Sequence, residues 1–375
     1  MPASGITQPE LVLPAQPRRV ETVNFHPTAD CILATTSFDT LVAWDLIQAK
    51  ELYSYDDHED EVQSVAWQHS GQLLATQSKD CLLRVFDPRA KKCVMNCESH
   101  LGIKDSRVVW INDANANRLF TTGFSTDRNR EITVRDMRNL ETPQANMTLD
   151  MSAGILVPLL DPDTNMCFLS GKGDRNIQFI ELADRNPYIV EGLRYSGDQT
   201  KGACLVPKRA MDVMQGEVNR VLQLTNSSIV PITWQVPRKS YREYHSDIYP
   251  DTYGLEAACG PASWFQGNNQ KVPTINLDPK KRPKEKLTVF QGPLADRDPE
   301  WTSTLSSAAS EAEKENGHQN GSNGTPAVNN KVSIAIFKLL KRAFFYVCLL
   351  SGLFRLLPLL TAIIITGNRV RGLAV

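Results

Sequence analysis

Short β-type runs, in which apolar and β-branched residues are followed by turn residues, recur along the first 240 positions of the chain. Phe25-His26-Pro27 in one unit corresponds to Trp67-Gln68-His69 in the next, an offset of 42 positions (67 minus 25). Each of these segments leads through a Leu-Ala-Thr run and an aspartate to a second apolar run that ends in aspartate. A period of about 40 to 50 residues is typical of stacked repeats that bury apolar faces against one another.

Three looser copies follow the first two. They run from Trp110 to Asp136, from Leu159 to Ile180 and, in degenerate form, from Val218 to Val236. Each unit holds three or four short β-rich runs separated by turn residues, which is typical of one blade of a propeller. The sequence therefore predicts an all-β, WD-repeat β-propeller with about five blades.

Several positions recur at blade spacing, and we interpret them as structural. The aromatic residues at repeat positions should pack between blades, and the aspartates in turns should accept hydrogen bonds from the turn backbone or a neighbouring His or Ser. Three carboxylates at this spacing could also suggest a metal site, but blade turns lie too far apart to share one ion. The predicted structural positions are Asp39, Trp44, Asp80, Phe86, Asp136 and Asp174, with Trp67, Trp110 and Trp234 as further core aromatics.

The chain changes character from Asp278 onwards. Residues 276–330 begin with a basic, Pro-broken run and continue with Ser, Ala, Glu, Asn and Gly, which predicts a disordered linker. Residues 331–375 form an apolar tail, whose run at 343–366 would span ~36 Å as a helix and could cross a membrane. Arg355 and Pro358 interrupt that run. An aberrant reading frame is the preferred alternative explanation of the tail.

Composition narrows the function classes. The 41 basic and 42 acidic residues are balanced, so no global charge favours nucleic acid, and the eight scattered cysteines are typical of reduced thiols in the cytosol. The histidines include no His-x-x-x-His pair, and no nucleophile, phosphate loop and base combine at useful spacing. We therefore predict a protein that is not an enzyme and has no cofactor and no metal.

The segments that follow the repeats are more specific. Val236-Pro237-Arg238-Lys239-Ser240, with Asp247-Ile248-Tyr249-Pro250-Asp251-Thr252, closely resembles the segment that closes the propeller of coronins. Phe120 to Ser125, Gly171 to Asp174 and Pro207 to Val213 are similar to coronins as well, in the family's order over residues 20–275. On these motifs the chain is identified as a member of the coronin family.

The resemblance implies a cytoplasmic, cytoskeleton-associated regulator that binds actin filaments. The run from Lys280 to Lys286, followed by Leu287 to Phe290, looks more like the long coronins with two tandem propellers. That likeness adds microtubules, trafficking proteins and the Golgi as expected partners or locations. Coronins are similar to one another over seven blades, whereas this chain has about five after a lead-in at residues 1–19, so we expect a propeller truncated at both ends.

Basic residues on loops are the natural contacts with an acidic filament. For each of them a solvated or internally paired side chain is the structural alternative. The predicted partner-binding residues are Lys79, Arg84, Arg89, Lys172, Arg175, Arg238, Lys239, Lys280, Lys281, Arg282, Lys284 and Lys286. Two other functions compete with actin binding. One is a membrane-tethered propeller adaptor for vesicle traffic, which carbonate extraction of membranes would test, and the other is a truncated isoform with weak actin binding.

Overall fold

The computed structural model describes residues 11–112 and 118–281. Strands dominate these residues, and four sheets of four antiparallel strands are followed by one sheet of three, each in chain order. These five sheets are the blades of the predicted propeller. The all-β prediction is confirmed.

Blades 1 and 2 come from the two most regular repeats. Their strands are β1 (Thr22–Phe25), β2 (Ile32–Ser37), β3 (Thr40–Asp45), β4 (Lys50–Tyr55), β5 (Val62–Trp67), β6 (Leu74–Ser78), β7 (Leu82–Asp87) and β8 (Lys92–Glu98). Blades 3 and 4 repeat the same order. Their strands are β9 (Arg107–Ile111), β10 (Arg118–Phe124), β11 (Arg130–Asp136), β12 (Ala145–Thr148), β13 (Leu156–Leu160), β14 (Met166–Gly171), β15 (Asn176–Leu182) and β16 (Ile189–Ser196).

Blade 5, the degenerate repeat, has three strands within the described residues. They are β17 (Gly202–Leu205), β18 (Glu217–Leu224) and β19 (Ile229–Gln235), with 3-10 helices at Lys208–Ala210 and Val213–Gln215 between the first two. An extension then runs from residue 237 to 281. It contains β20 (Thr252–Tyr253), the short helix α1 (Pro261–Phe265) and β21 (Thr274–Ile275), and β20 pairs with β21.

The hydrophobic core lies between adjacent blades, because each sheet is apolar on both faces. Phe86 is fully buried against Ile32 and Leu41 of blade 1. Trp44, Trp67 and Trp110 are 2–6% exposed, and Trp234 is half-buried against Phe168. Leu13 of the lead-in covers the face of blade 1 that points away from blade 2.

Strand direction divides the molecule into two faces. Turns between the second and third strands of a blade lie at the same end as the connections to the next blade, and we call this end the upper face. Turns between the first and second or the third and fourth strands form the lower face. The first strands of all five blades line a central cavity of about 500 Å³.

The extension crosses the lower face back to the first two blades. Ala258 N donates to Thr28 O at 2.8 Å, Asp30 N donates to Cys259 O at 2.9 Å, and Trp264 Nε1 donates to Gly71 O at 3.0 Å. Leu277 is 1% exposed, so packing continues two residues past the predicted boundary at 275. Residues 113–117, the rest of the predicted linker and the run at 343–366 lie outside the described residues.

Candidate interaction surfaces

The recurring aspartates lie in turns or beside them and accept hydrogen bonds there. The carboxylate of Asp80 accepts from Leu82 N at 2.9 Å and forms an ion pair with Arg84 at 2.7 Å. Asp174 accepts from Ser152 Oγ at 3.0 Å. Asp136 accepts from Arg138 N at 2.9 Å, and the side-chain hydrogen bonds from Arg138 lower the pKa of Asp136. These carboxylates are therefore engaged inside single blades or between neighbouring ones.

Asp39 follows the pattern less closely. Its carboxylate accepts from Thr40 Oγ1 at 3.1 Å, and its backbone carbonyl lies 2.8 Å from His58 Nδ1. The other ring nitrogen of His58 lies 3.1 Å from Thr76 Oγ1 in blade 2. The histidine thus links the upper ends of two blades. Across the residues that the structure describes, no group of three His, Cys, Asp or Glu side chains is placed to hold a metal ion.

The upper face carries three of the predicted basic contacts. Lys79 lies in the β6–β7 turn, and Lys172 and Arg175 lie in the β14–β15 turn, all of them exposed. Lys79 Nζ is 3.5 Å from Asp60, within the acidic connection at residues 56–61. Acidic residues therefore lie beside Lys79 on blade 2, whereas Lys172 and Arg175 lie on the turn of blade 4.

The prediction for Arg84 needs correction. Arg84 lies in β7, only 4% of its surface is exposed, and its guanidinium is paired with Asp80. A partner cannot reach this side chain while the blade is folded. Its role is to neutralise the buried carboxylate of the turn, because an unpaired charge would be costly there.

The other predicted contacts that the structure describes lie on the lower face. Arg89 donates to Asn269 Oδ1 at 2.6 Å and lies 4.8 Å from the centroid of the Trp264 ring, so it holds the extension against blade 2. Arg238 is half-buried and paired with Asp247. The lysines Lys239, Lys280 and Lys281 are exposed. The other basic residues of this run, Arg282, Lys284 and Lys286, lie outside the described residues.

Trp264 is the largest anchor that the sequence pattern missed. It is 1% exposed and packs edge-on against Trp67, with ring centroids 6.1 Å apart, in the core between blades 1 and 2. His26 lies between the two rings. No repeat signal marks position 264, because its partner Gly71 lies 193 residues earlier in the chain. The signal that the sequence offers is a single tryptophan shortly after Gly260-Pro261.

Comparisons with known proteins agree with this architecture. A repeat model described as "WD domain, G-beta repeat" matches residues 49–87, which run from the outer strand of blade 1 through the third strand of blade 2. A second model, "Type of WD40 repeat", matches residues 229–272, where the structure has β19 and the extension. The solved WD40 domain of coronin from Toxoplasma gondii superposes with a TM-score of 0.67 at 29% identity, covering 71% of this chain and 69% of that one.

Curated relatives decide the family. Coronin-7 of Homo sapiens is 39% identical over 290 residues, 77% of this chain and 31% of that protein. Coronin-A of Dictyostelium discoideum is 36% identical over 231 residues, 61% of this chain and 51% of that protein. The chain belongs to the coronin family. This coronin spans about a third of the length of the Coronin-7 relatives that it matches.

The family assignment confirms the resemblance that the closing segment predicted. In this coronin that segment leads into the extension, and Tyr249 Oη donates to Glu217 O at 2.9 Å. Within residues 11–112 and 118–281, the structure contains no helix with the length and apolarity needed to cross a membrane. The candidate span at 343–366 is not among these residues.

Proposed function

We propose that this coronin is a non-catalytic, cytoskeleton-associated propeller of the cytoplasm that binds actin filaments. The observation that carries the proposal is coronin similarity along most of the chain, 290 residues at 39% identity. Exposed cations on both faces support it, since an actin filament is acidic. They are Lys79, Lys172 and Arg175 above and Lys239, Lys280 and Lys281 below.

Pelleting with actin filaments tests this function. The full chain should co-sediment with filaments, and less of it should pellet at physiological salt than at low salt, because salt screens exposed charges over about 8 Å. A correctly folded chain that stays in the supernatant at both salt concentrations would contradict the proposal.

Two matched variants separate the faces. Lys79→Gln/Lys172→Gln/Arg175→Gln removes three positive charges from the upper face, and Lys239→Gln/Lys280→Gln/Lys281→Gln removes three from the lower one. If one face meets the filament, only its variant should bind more weakly and lose part of the salt dependence. An equal effect of both variants would indicate non-specific attraction instead.

The resemblance to long coronins adds microtubules and trafficking proteins as proposed partners. The same chain and the same two variants can be pelleted with microtubules in place of actin. If both variants bind microtubules as strongly as the wild type does, the electrostatic support for a microtubule role is lost.

A further inference from the structure

Three large apolar side chains are exposed on the upper face, on the connections before and after blade 3. Leu101 is 53% exposed and Ile103 84% exposed in the connection at residues 99–106. Met151 is 81% exposed in the connection at residues 149–155. We call these three residues the apolar patch. Single exposed apolar residues are ordinary, but a group of them is typical of an interaction site.

The two connections are joined to each other, which places the patch on one continuous surface. Lys104 Nζ donates to Ala153 O at 2.7 Å and lies 5.1 Å from the centroid of the Phe124 ring. Gly102 N donates to Phe124 O at 2.8 Å, so the first connection also packs on the upper end of blade 3. A ligand that reaches one connection therefore meets the other.

The residues that alternate with Leu101 and Ile103 are fixed. The ring nitrogens of His100 lie 2.7 Å from Glu131 Oε1 and 2.9 Å from Thr121 Oγ1, and His100 is 4% exposed. Gly102 and Lys104 are held as described above. Leu101 and Ile103 thus stand between anchored neighbours and point away from the blade.

Met151 is held in the same manner. Asp150 before it accepts from Arg130 Nε at 2.6 Å, and Ser152 after it donates to Asp174 at 3.0 Å. Arg130 is 6% exposed and also donates to Asp174 at 2.5 Å, which ties the connection to blade 4. A site whose backbone is already fixed loses little conformational entropy when it binds, which favours recognition over chance exposure.

The charge beside the patch indicates the partner. Lys172 and Arg175 lie on the next turn, and the carbonyl of Lys172 approaches Gly154 so closely that a Cβ there would lie 2.6 Å from its oxygen. The nearby carboxylates of Asp150 and Asp174 are engaged by Arg130, whereas both basic side chains are exposed and form no ion pair with a described residue. The patch is therefore bordered by positive charge.

We propose that the apolar patch, together with Lys172 and Arg175, is the docking surface for an acidic protein surface that presents an apolar contact. The inference rests on the proposed function, in which this acidic partner is the actin filament. Binding then depends on burial of Ile103 and Met151 against the filament, and the flanking cations Lys172 and Arg175 orient it.

The test is actin co-sedimentation of the full chain carrying Ile103→Ser/Met151→Ser. We expect about tenfold weaker binding at physiological salt, because two exposed anchors lose their apolar contact. The matched control is Ile47→Ser/Leu193→Ser, since these side chains are 69% and 72% exposed on the lower face and on the outer strand β16. The control should bind within about twofold of the wild type.

The outcomes separate this inference from the proposed function. If the patch variant pellets with filaments as well as the wild type does, the inference is overturned and actin binding still stands. A wild-type chain that never pellets overturns both. Thermal unfolding is measured for each variant. If the double variant unfolds at a clearly lower temperature than the wild type, the single variant Ile103→Ser is tested in its place, and we expect its binding to be about threefold weaker. Lys172→Glu/Arg175→Glu should also weaken binding, and unchanged binding would remove the stated charge complementarity.

Discussion

Buried polar side chains have roles at the residue scale that their sequence positions do not reveal. Arg84 and Arg130 each lie in a central strand, and each neutralises the carboxylate of an upper turn: Asp80 in blade 2 and Asp174 in blade 4. Arg130 adds Asp150, so one guanidinium joins two connections. Charges this deeply buried are stable only while they are paired.

Loss of Arg130 should be costly. Arg130→Met leaves Asp174 without its cation, and we expect the free energy of unfolding to fall by about 3 kcal/mol. Urea unfolding of the full chain measures this change. Lys79→Met is the control, because Lys79 and its partner Asp60 are 46% and 36% exposed, and it should cost less than about 1 kcal/mol. A similar loss in both variants would contradict the account.

The buried histidine His26 predicts a pH dependence of stability. Its Nδ1 accepts from Ala29 N at 2.8 Å, so Nε2 carries the proton and donates to Gly71 O at 2.8 Å. Burial is the largest cause that lowers the pKa of His26, to about 4. Because the unfolded chain binds a proton near pH 6.5 and the folded chain does not, stability should decrease as pH falls from about 6.5 to about 4.

The loss assigned to His26 is about 3 kcal/mol over that window. The free energy of unfolding, measured with denaturant, should change less between pH 7 and pH 4.5 in His26→Gln than in the wild type. We expect the variant to be less stable than the wild type at both pH values. His58, whose pKa is lowered to about 4 mainly by burial, provides a second and separate contribution. Equal pH dependence in the wild type and His26→Gln would rule out this role.

At the element scale, the extension joins parts of the fold that lie far apart in sequence. α1 is only five residues long, with Pro261 at its start, and it places Trp264 in the core between blades 1 and 2. The close approach requires a residue without a Cβ at position 71. Gly71 has φ +73°, and a Cβ there would lie 2.2 Å from His26 Cε1.

Removal of the Trp264 side chain should weaken the junction of blades 1 and 2. Trp264→Ala deletes a fully buried indole, and we expect a loss of about 3–5 kcal/mol in the free energy of unfolding. Trp264→Phe keeps much of the apolar contact but loses the hydrogen bond to Gly71 O, so it should cost less. Thermal unfolding of the two variants and the wild type gives the order, and an alanine variant as stable as the wild type would contradict the role.

At the scale of the whole molecule, the five blades share one central cavity, and the extension contacts blades at both ends of the row. The inner strands surround the cavity, and residues Thr252 to Gly254 of the extension lie against its lower end. Leu277 then packs against Met211 and Val218 beside blade 5. The extension therefore touches both ends of the row of blades and should contribute to the stability of all of them.

Truncation measures that contribution. A chain that ends at residue 236 loses every contact of the extension, and it should unfold at a clearly lower denaturant concentration and expose Trp67 to solvent. The matched reference is a chain that ends at residue 281, which keeps all the contacts described above. Equal midpoints for the two chains would show that the extension does not stabilise the blades.

Much of the fold was predictable because its signals are local. Short β-rich runs and turn residues report on one blade, and the 42-residue offset relates one blade to the next; together they predicted the strands and the propeller. The closing segment predicted the family in the same way. The patterns predicted three or four strands for each unit, and blade 5 has three within the described residues.

The tertiary structure decided which side chains face a partner. Sequence alone could not show that Lys172 is exposed in its turn while Arg84 is buried in β7, because exposure depends on how neighbouring sheets pack. It could not show that Ile103 and Met151, 48 positions apart (151 minus 103), lie on adjoining connections. Nor could it bring Trp264 to Gly71, since that contact forms only after the chain has passed through the remaining blades and returned across the lower face. The sequence by itself determined the strands and turns, because their signals lie within one repeat; the surfaces depend on contacts between repeats, which only the folded chain brings together.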